Sequence, residues 1–488
     1  MPIDLNSEDS PINPDNPKYA AMLANLQGNI LKSHGRNCAA HLFLTFSAEP
    51  EKVRRWIAIF TARYITSAYR QNYESKEFNI NKISGRIFGG FYLSAAGYKS
   101  LGFDNLEDFV EDNAIDNAVE VSFKDGMAAG AMEFNDPPPE EWEEHFRDHQ
   151  SHALVLLADD DAERLKDVTA RVLESLENVT TKIVVQEGTV LRENGKPIEP
   201  FGFRDCISQP HFYRADIEKD RENGFDRWDS AAPLKLVLVK DVLTAEEDSF
   251  GSYLVYRKLE QNVREFKATE RKLAGTDCLN LADDDMERAG ALIVGRFRNG
   301  VPLELSATEN DDRLIDFNNF NFIGENGQPT ASKCPYHSHI RRMTPRGELG
   351  LIDGKIKEEE LRHRLARRGI TYDEREKDAD GKPLTNSDPE KDVGLLFMCF
   401  QSSIPKQFGF VQARWANTSA FFGKSEVGID PIVGQNPDLM DFEYQKWYPK
   451  WGDDAEPPKP FEFKTFVKLK GGEYFFAPSI SFLRKLGD

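Results

Sequence analysis

The chain runs to 488 residues, with 62 Lys plus Arg against 82 Asp plus Glu and a formal net charge of −20 at pH 7. Its length exceeds one ordinary domain of roughly 100–200 residues, and the negative excess repels phosphate backbones and anionic lipid, which argues against nucleic acid or a membrane as partner. Hydrophobic residues at 40% with 26 Pro and 34 Gly exclude a disordered or fibrous chain, and five scattered Cys without a CxxC pair argue against a disulfide framework.

Residues 1–20 show neither the basic stretch nor the apolar segment of an export signal. Apolar runs such as 153–158 and 393–400 fall far short of the ~18 residues of a membrane helix, so the expected location is the cytoplasm. Residues 41–46 (HLFLTF) predict a buried strand, and 51–69 a helix with Trp56, Ile59 and Phe60 on one side. Residues 87–94 and 153–158 predict two more strands, the second fully buried. Over 160–178 an Asp-rich start precedes Leu165, Val168, Val172 and Leu176 at helical spacing, and a strand follows at 182–191. The second half repeats the theme: a strand at 252–257, a helix over 260–272, a strand at 394–400, a helix near 410–416 and a strand within 463–476. Two split βαβ units are implied. The stretch from 277 to 392 is too long for a connection and is expected to hold the functional machinery, with 374–390 a solvated loop inside it.

Chemistry-bearing residues concentrate in three segments. KCPYHSHIRRMTPR (333–346) packs a Cys, two His and three Arg between two Pro. His337 reads as structural; His339 reads as an axial haem ligand with Arg342 and Arg346 as cations for the two propionates, and zinc held by Cys334, His337 and His339 is the competing reading. PFGFRDCISQP (200–210) presents Asp205 where the first half ends. HRLARRGITYD (363–373) reads as an amphipathic helix closing at Arg367, Arg368 and Gly369. Two weaker clusters are His145, His149 and His152, at metal-like spacing if a helix continues that far, and the aromatic patch Trp447, Tyr448 and Trp451, read as packing or as a surface electron relay.

Together these segments resemble the dye-decolourising peroxidases. LQGNILKSHGR (26–36) looks like the family's start, GFRDCISQP like its GxxDG loop, CPYHSHIRRMTPR like the proximal-histidine segment, and RRGITYD like the distal-arginine segment. GLLFMCFQSSI (394–404) resembles the strand lining the haem and KGGEYFFAPSISFL (470–483) the C-terminal strand; the length resembles the larger bacterial and fungal class.

The resemblance implies an α+β fold of the dimeric α+β barrel superfamily. It would comprise two ferredoxin-like domains with antiparallel sheets flanked by helices, residues 1–225 and a haem-binding 226–488. It implies one haem b per chain with His339 on the iron, Asp205 as distal carboxylate, Arg367 as distal arginine, and Leu395 and Phe397 as apolar wall. Asp430, or else Glu426, would be the carboxylate behind His339. Hydrogen peroxide would oxidise dyes, phenols and other aromatic reductants through a ferryl intermediate; a haem-handling protein with little turnover is the alternative, and a homo-oligomer is compatible with either. The chain departs from the family pattern at Cys206, in place of the loop's second Gly, at Thr371 and Asp373 after the distal arginine, and at Thr344.

Overall fold

The computed structural model describes the chain apart from residues 1–2, 7–10, 108, 110–118, 148–150, 205–206, 245, 283–284, 349–359, 379–382, 385–386, 422, 437, 439 and 441–443. The first half supplies strands β1 (Cys38–Phe46), β2 (Phe88–Ser94), β3 (Ala153–Asp159) and β4 (Thr180–Thr189), with helices α1 (Pro50–Tyr64), α2 (Ala68–Asn81) and α3 (Ala162–Ser175) between them. β3 is buried along its whole length, which is why its sequence is a continuous apolar run rather than an alternation. The helix predicted over 51–69 is two helices: the backbone becomes extended at Ile65, and Ser67 caps α2 by accepting from the Arg70 amide. Trp56 and Phe60 face the core as expected, whereas Ile59 is 61% exposed.

The second half supplies β5 (Phe250–Gln261), β6 (Ile370–Asp373), β7 (Val393–Gln401) and β8 (Val467–Ala477). Its helix α4 (Val263–Gly275) starts after Asn262, whose side chain accepts from the Glu265 amide, and the helix expected near 410–416 is a pair of wide π-type turns, Pro405–Gly409 and Val411–Ala416. Among the described residues between α4 and β6 are the short helices α5 (Glu287–Val294) and α6 (His339–Met343). Lys267 and Arg264 of α4 pair with Asp388 and Glu390, tying the solvated loop after β6 to the body.

Among the described residues all eight strands join one antiparallel sheet in the order β6-β7-β5-β8-β2-β3-β1-β4. Counted within its own half, each set of four runs second, third, first, fourth, the order of a ferredoxin-like unit. Within the sheet the described residues join the halves at two places. At one, β8 pairs with β2 through Phe475 opposite Ser94 and Phe476 opposite Leu93. At the other, Thr371 of β6 donates its hydroxyl to the Thr189 carbonyl of β4 and accepts from the Leu191 amide at 2.9 Å, so a side chain closes the barrel. Gly188 allows that approach, since a Cβ there would lie 2.6 Å from Ile370. The apolar core draws Leu44 and Leu156 from one half and Leu254 and Phe475 from the other.

Thr371→Val is expected to cost about 1–3 kcal/mol, because it strands a carbonyl and an amide at the seam. Urea unfolding reads the loss, and faster hydrogen exchange at the Leu191 amide places it.

No helix among the described residues is long and apolar enough to cross a membrane.

Candidate active site

His339 opens α6 and borders a large, mostly apolar cavity. The residue before it, Ser338, fixes the approach by donating its hydroxyl to the Leu292 carbonyl of α5 at 2.5 Å. Nδ1 of His339 lies 2.9 Å from Oδ2 of Asp430, while Oδ1 of Asp430 accepts from the Ile432 and Val433 amides at 2.8 Å each. Asp430 is fully buried, which by itself raises its pKa; its interaction with His339 and the hydrogen bonds from the Val433 and Ile432 amides outweigh burial and hold the carboxyl below its ordinary value. An ionised carboxylate only accepts, so Nδ1 carries the proton and Nε2 presents its lone pair away from Asp430. Glu426 is exposed at a φ of 58° and pairs with Lys446 at 2.7 Å, so the carboxylate behind His339 is Asp430.

Arg367 does not end a helix. It lies in a short strand, Ala366–Arg367, opposite Cys399 of β7, and its Nη2 donates to the Ser208 carbonyl at 3.0 Å while its amide donates to Oε1 of Gln209 at 3.1 Å. Gly369 serves close packing instead of a helix cap: a Cβ there would meet the Leu396 carbonyl at 3.1 Å. Arg368 donates to the carbonyls of Asn29 at 2.6 Å and Ile30 at 2.8 Å, which anchors the arginine segment on the LQGNILK stretch. Leu395 and Phe397 of β7 border the cavity beside Phe408, Leu259 and Leu469.

Asp205 and Cys206 lie outside the described residues. Their neighbours Arg204, Ile207 and Ser208 border the cavity. Upstream, Glu199 ties the turn by accepting from the Phe201 and Phe203 amides at 2.9 Å each, with Gly202 supplying a φ of 98°.

Arg342 and Arg346 are not on the cavity. Arg342 donates to the carbonyls of Trp415, Thr418 and Gly428, and Arg346 to those of Asn318 and Phe320 and to Oγ of Ser208, so both are spent on holding loops. Burial pushes the Arg342 pKa down to about 9. The arginines that do border the cavity are Arg204, Arg257, Arg296, Arg364 and Arg367. Arg257 is paired with Asp136 and Arg204 with Asp316. Arg296 donates to the Gly300 and Phe317 carbonyls and to Oδ1 of Asn318, and Arg364 donates to the Asp229 carbonyl and lies 5.1 Å from the Trp228 ring centre. Trp228 also borders the cavity, and its buried Nε1–H has no acceptor among the described residues. Apart from Arg367, these arginines escape a sequence reading because they are spread over more than a hundred residues and only the fold gathers them.

No group of three His, Cys, Asp or Glu that could hold a metal ion occurs among the described residues, which leaves the zinc reading of Cys334, His337 and His339 without support. His337 is buried against Trp447 at 4.3 Å. His145 sits in a single 3-10 turn, His152 accepts from the Phe46 amide, and His149 is outside the described residues. Trp447 and Trp451 donate to the Phe461 and Leu303 carbonyls, as packed residues do.

Known proteins share this arrangement. A family description of the DyP dimeric alpha+beta barrel domain matches residues 25–192. The chain is 37% identical over 494 residues to the multifunctional dye peroxidase DyP2 of Amycolatopsis sp., with all of both chains aligned. It is 30% identical over 382 residues to Peroxidase 2 of Mycetinis scorodonius, across 74% of this chain and 70% of the relative. The crystal structure of a DyP-type peroxidase from Anabaena sp. superposes with a TM-score of 0.87 at 40% identity over 99% of each chain. A dye-decolorizing peroxidase in complex with 2,6-dimethoxyphenol superposes at 0.74 and 25% identity, over 96% of this chain and 99% of that one. An end-to-end match in sequence, the same barrel, and a cavity bordered by a carboxylate-backed histidine and by arginine place the chain in the dye-decolourising peroxidase family of haem-dependent oxidoreductases.

Proposed function

We propose that this chain binds one haem b through Nε2 of His339 and uses hydrogen peroxide to oxidise phenols and related aromatic reductants. The observation that carries the reading is the 2.9 Å bond from His339 to the buried Asp430 at the wall of the cavity, which leaves one imidazole nitrogen as a strong donor toward that space. The cavity suits the cofactor on chemical grounds. Leu395, Phe397 and Phe408 offer apolar surface to a macrocycle, and Trp228, Arg296 and Arg364 on the same lining offer an unmet N–H and cations to carboxylates. The propionate role read into Arg342 and Arg346 therefore passes to Arg364 and Arg296.

Haem, when bound, supplies the redox chemistry that accepts two oxidising equivalents and passes them on singly. The protein supplies the rest. Asp205 takes the proton from the inner oxygen of peroxide and returns it to the outer oxygen, which departs as water. The Arg367 guanidinium, held by Ser208, stabilises the anion that results and the charge growing on the leaving oxygen. Asp430 keeps the Nδ1 proton in place so that Nε2 stays a donor. The apolar wall keeps water from competing.

The purified, haem-loaded protein should change its absorption spectrum on one equivalent of peroxide and then oxidise 2,6-dimethoxyphenol. A haem-loaded protein inert to peroxide would overturn the enzymatic reading in favour of haem handling.

Asp430→Asn keeps the shape of the side chain and removes its charge. It is expected to lower haem affinity or peroxide reactivity ten- to a hundredfold, about the usual cost of losing such a partner. Haem titration followed by absorption checks the first and stopped-flow mixing the second.

A further inference from the structure

Asn318 lies in the long connection ahead of α6, 8% exposed, and makes more hydrogen bonds than any packing role requires. Its Nδ2 donates to the Ile207 carbonyl at 3.0 Å. Its Oδ1 accepts from Oγ of Ser208 at 2.8 Å, from Nη2 of Arg296 at 2.8 Å and from Nη2 of Arg346 at 3.3 Å, and its own carbonyl accepts from Arg346. Two guanidinium groups fix which end of the amide is oxygen, so the other end must donate to Ile207. Arg296 and Arg346 hydrogen-bond only uncharged acceptors among the described residues, which makes the Asn318 oxygen a principal acceptor for both.

Ile207 and Ser208 border the cavity, and the Ser208 carbonyl is the acceptor for Nη2 of Arg367. The next residue, Gln209, takes the Arg367 amide. A continuous run of contacts thus leads from Asn318 through 207–208 to the Arg367 guanidinium. We propose that Asn318 is a positioning residue for Arg367, acting through the Ile207 and Ser208 segment, with Arg346 as its buried brace. The amide meets both demands at this point, whereas Asp cannot donate to Ile207 and an apolar side chain can neither donate nor accept.

This inference rests on Arg367 stabilising an anion at the haem iron, so the experiment separates the two. Fluoride binding to the ferric, haem-loaded protein is followed by absorption in the parent, Arg367→Ala, Asn318→Ala and the double variant. Arg367→Ala and Asn318→Ala should each weaken binding, Asn318→Ala by on the order of tenfold to a hundredfold, the scale on which a displaced group loses its effect. The double variant should bind no more weakly than Arg367→Ala alone. Additive losses, or no loss in Asn318→Ala, overturn the positioning role. Unchanged binding in Arg367→Ala overturns the reading of Arg367, and the positioning role falls with it. Asn318→Asp covers the case in which the alanine variant does not fold. It keeps every acceptor contact and gives Arg296 and Arg346 a counter-charge, which offsets in stability the carboxylate oxygen it sets against the Ile207 carbonyl in place of the donor, so it should fold, as urea unfolding checks, yet bind fluoride more weakly. Parent-like fluoride affinity in Asn318→Asp overturns the proposal.

Discussion

His339→Ala is expected to emerge from purification with little or no haem, while His337→Ala retains it. The two histidines are two residues apart and differ in everything that matters for a metal bond. His339 borders the cavity with its other nitrogen held by Asp430. His337 is sealed against Trp447, and burial, followed by the nearby Arg342 charge, pushes its pKa down to about 3, so it stays neutral and inward. Removing His339 also strips Asp430 of its partner and leaves a fully buried carboxylate supported by two amides alone, and a hydrogen bond to such a charged group contributes about 1.5–3 kcal/mol. The variant should therefore unfold at lower urea as well. Absorbance per polypeptide measures haem content, and added imidazole should restore part of it in His339→Ala. Equal haem in both variants would remove His339 from the iron.

The second large effect is expected from Asp205→Asn. The reaction with peroxide needs one group that takes a proton and gives it back, and asparagine can do neither while filling the same space. The rate of the first reaction with peroxide should fall by about 10² to 10⁴, and the spectrum of the resting protein should stay nearly unchanged. Stopped-flow absorption under excess peroxide supplies the rate. If the variant reacts as fast as the parent, the proton moves through water or Arg367 instead.

Local pattern carried the strands well, because β1, β3 and β7 are apolar runs of the right length with turn residues between them. It failed where spacing and tertiary structure compete. An apolar-periodic stretch ending in Arg, Arg and Gly has the signature of a helix end, yet Ala366 and Arg367 pair with β7, and Gly369 is small because the Leu396 carbonyl passes close by. Density of charge misled at Arg342 and Arg346: three arginines beside a candidate ligand suggest a ligand's counter-charges, whereas the fold uses these two to gather backbone carbonyls. The choice between Asp430 and Glu426 needed coordinates, since they stand four positions apart and nothing in the composition of the loop says which is buried. The seam at Thr371 left no trace in any periodicity, being a single hydroxyl between two distant strands.

The two halves follow one strand plan, but the strands that border the cavity, β5, β7 and β8, all belong to the second. Random substitutions in the sheet should consequently sort by address. Those in β1 to β4 would show themselves as poor yield and early melting in an enzyme of normal turnover per intact molecule, whereas those in β5, β7 and β8 would divide between misfolding and well-folded protein with altered catalysis. Strands β1 to β4 thus have freedom to drift in sequence so long as they still present Ser94 and Leu93 to one neighbour and Gly188 and Thr189 to the other.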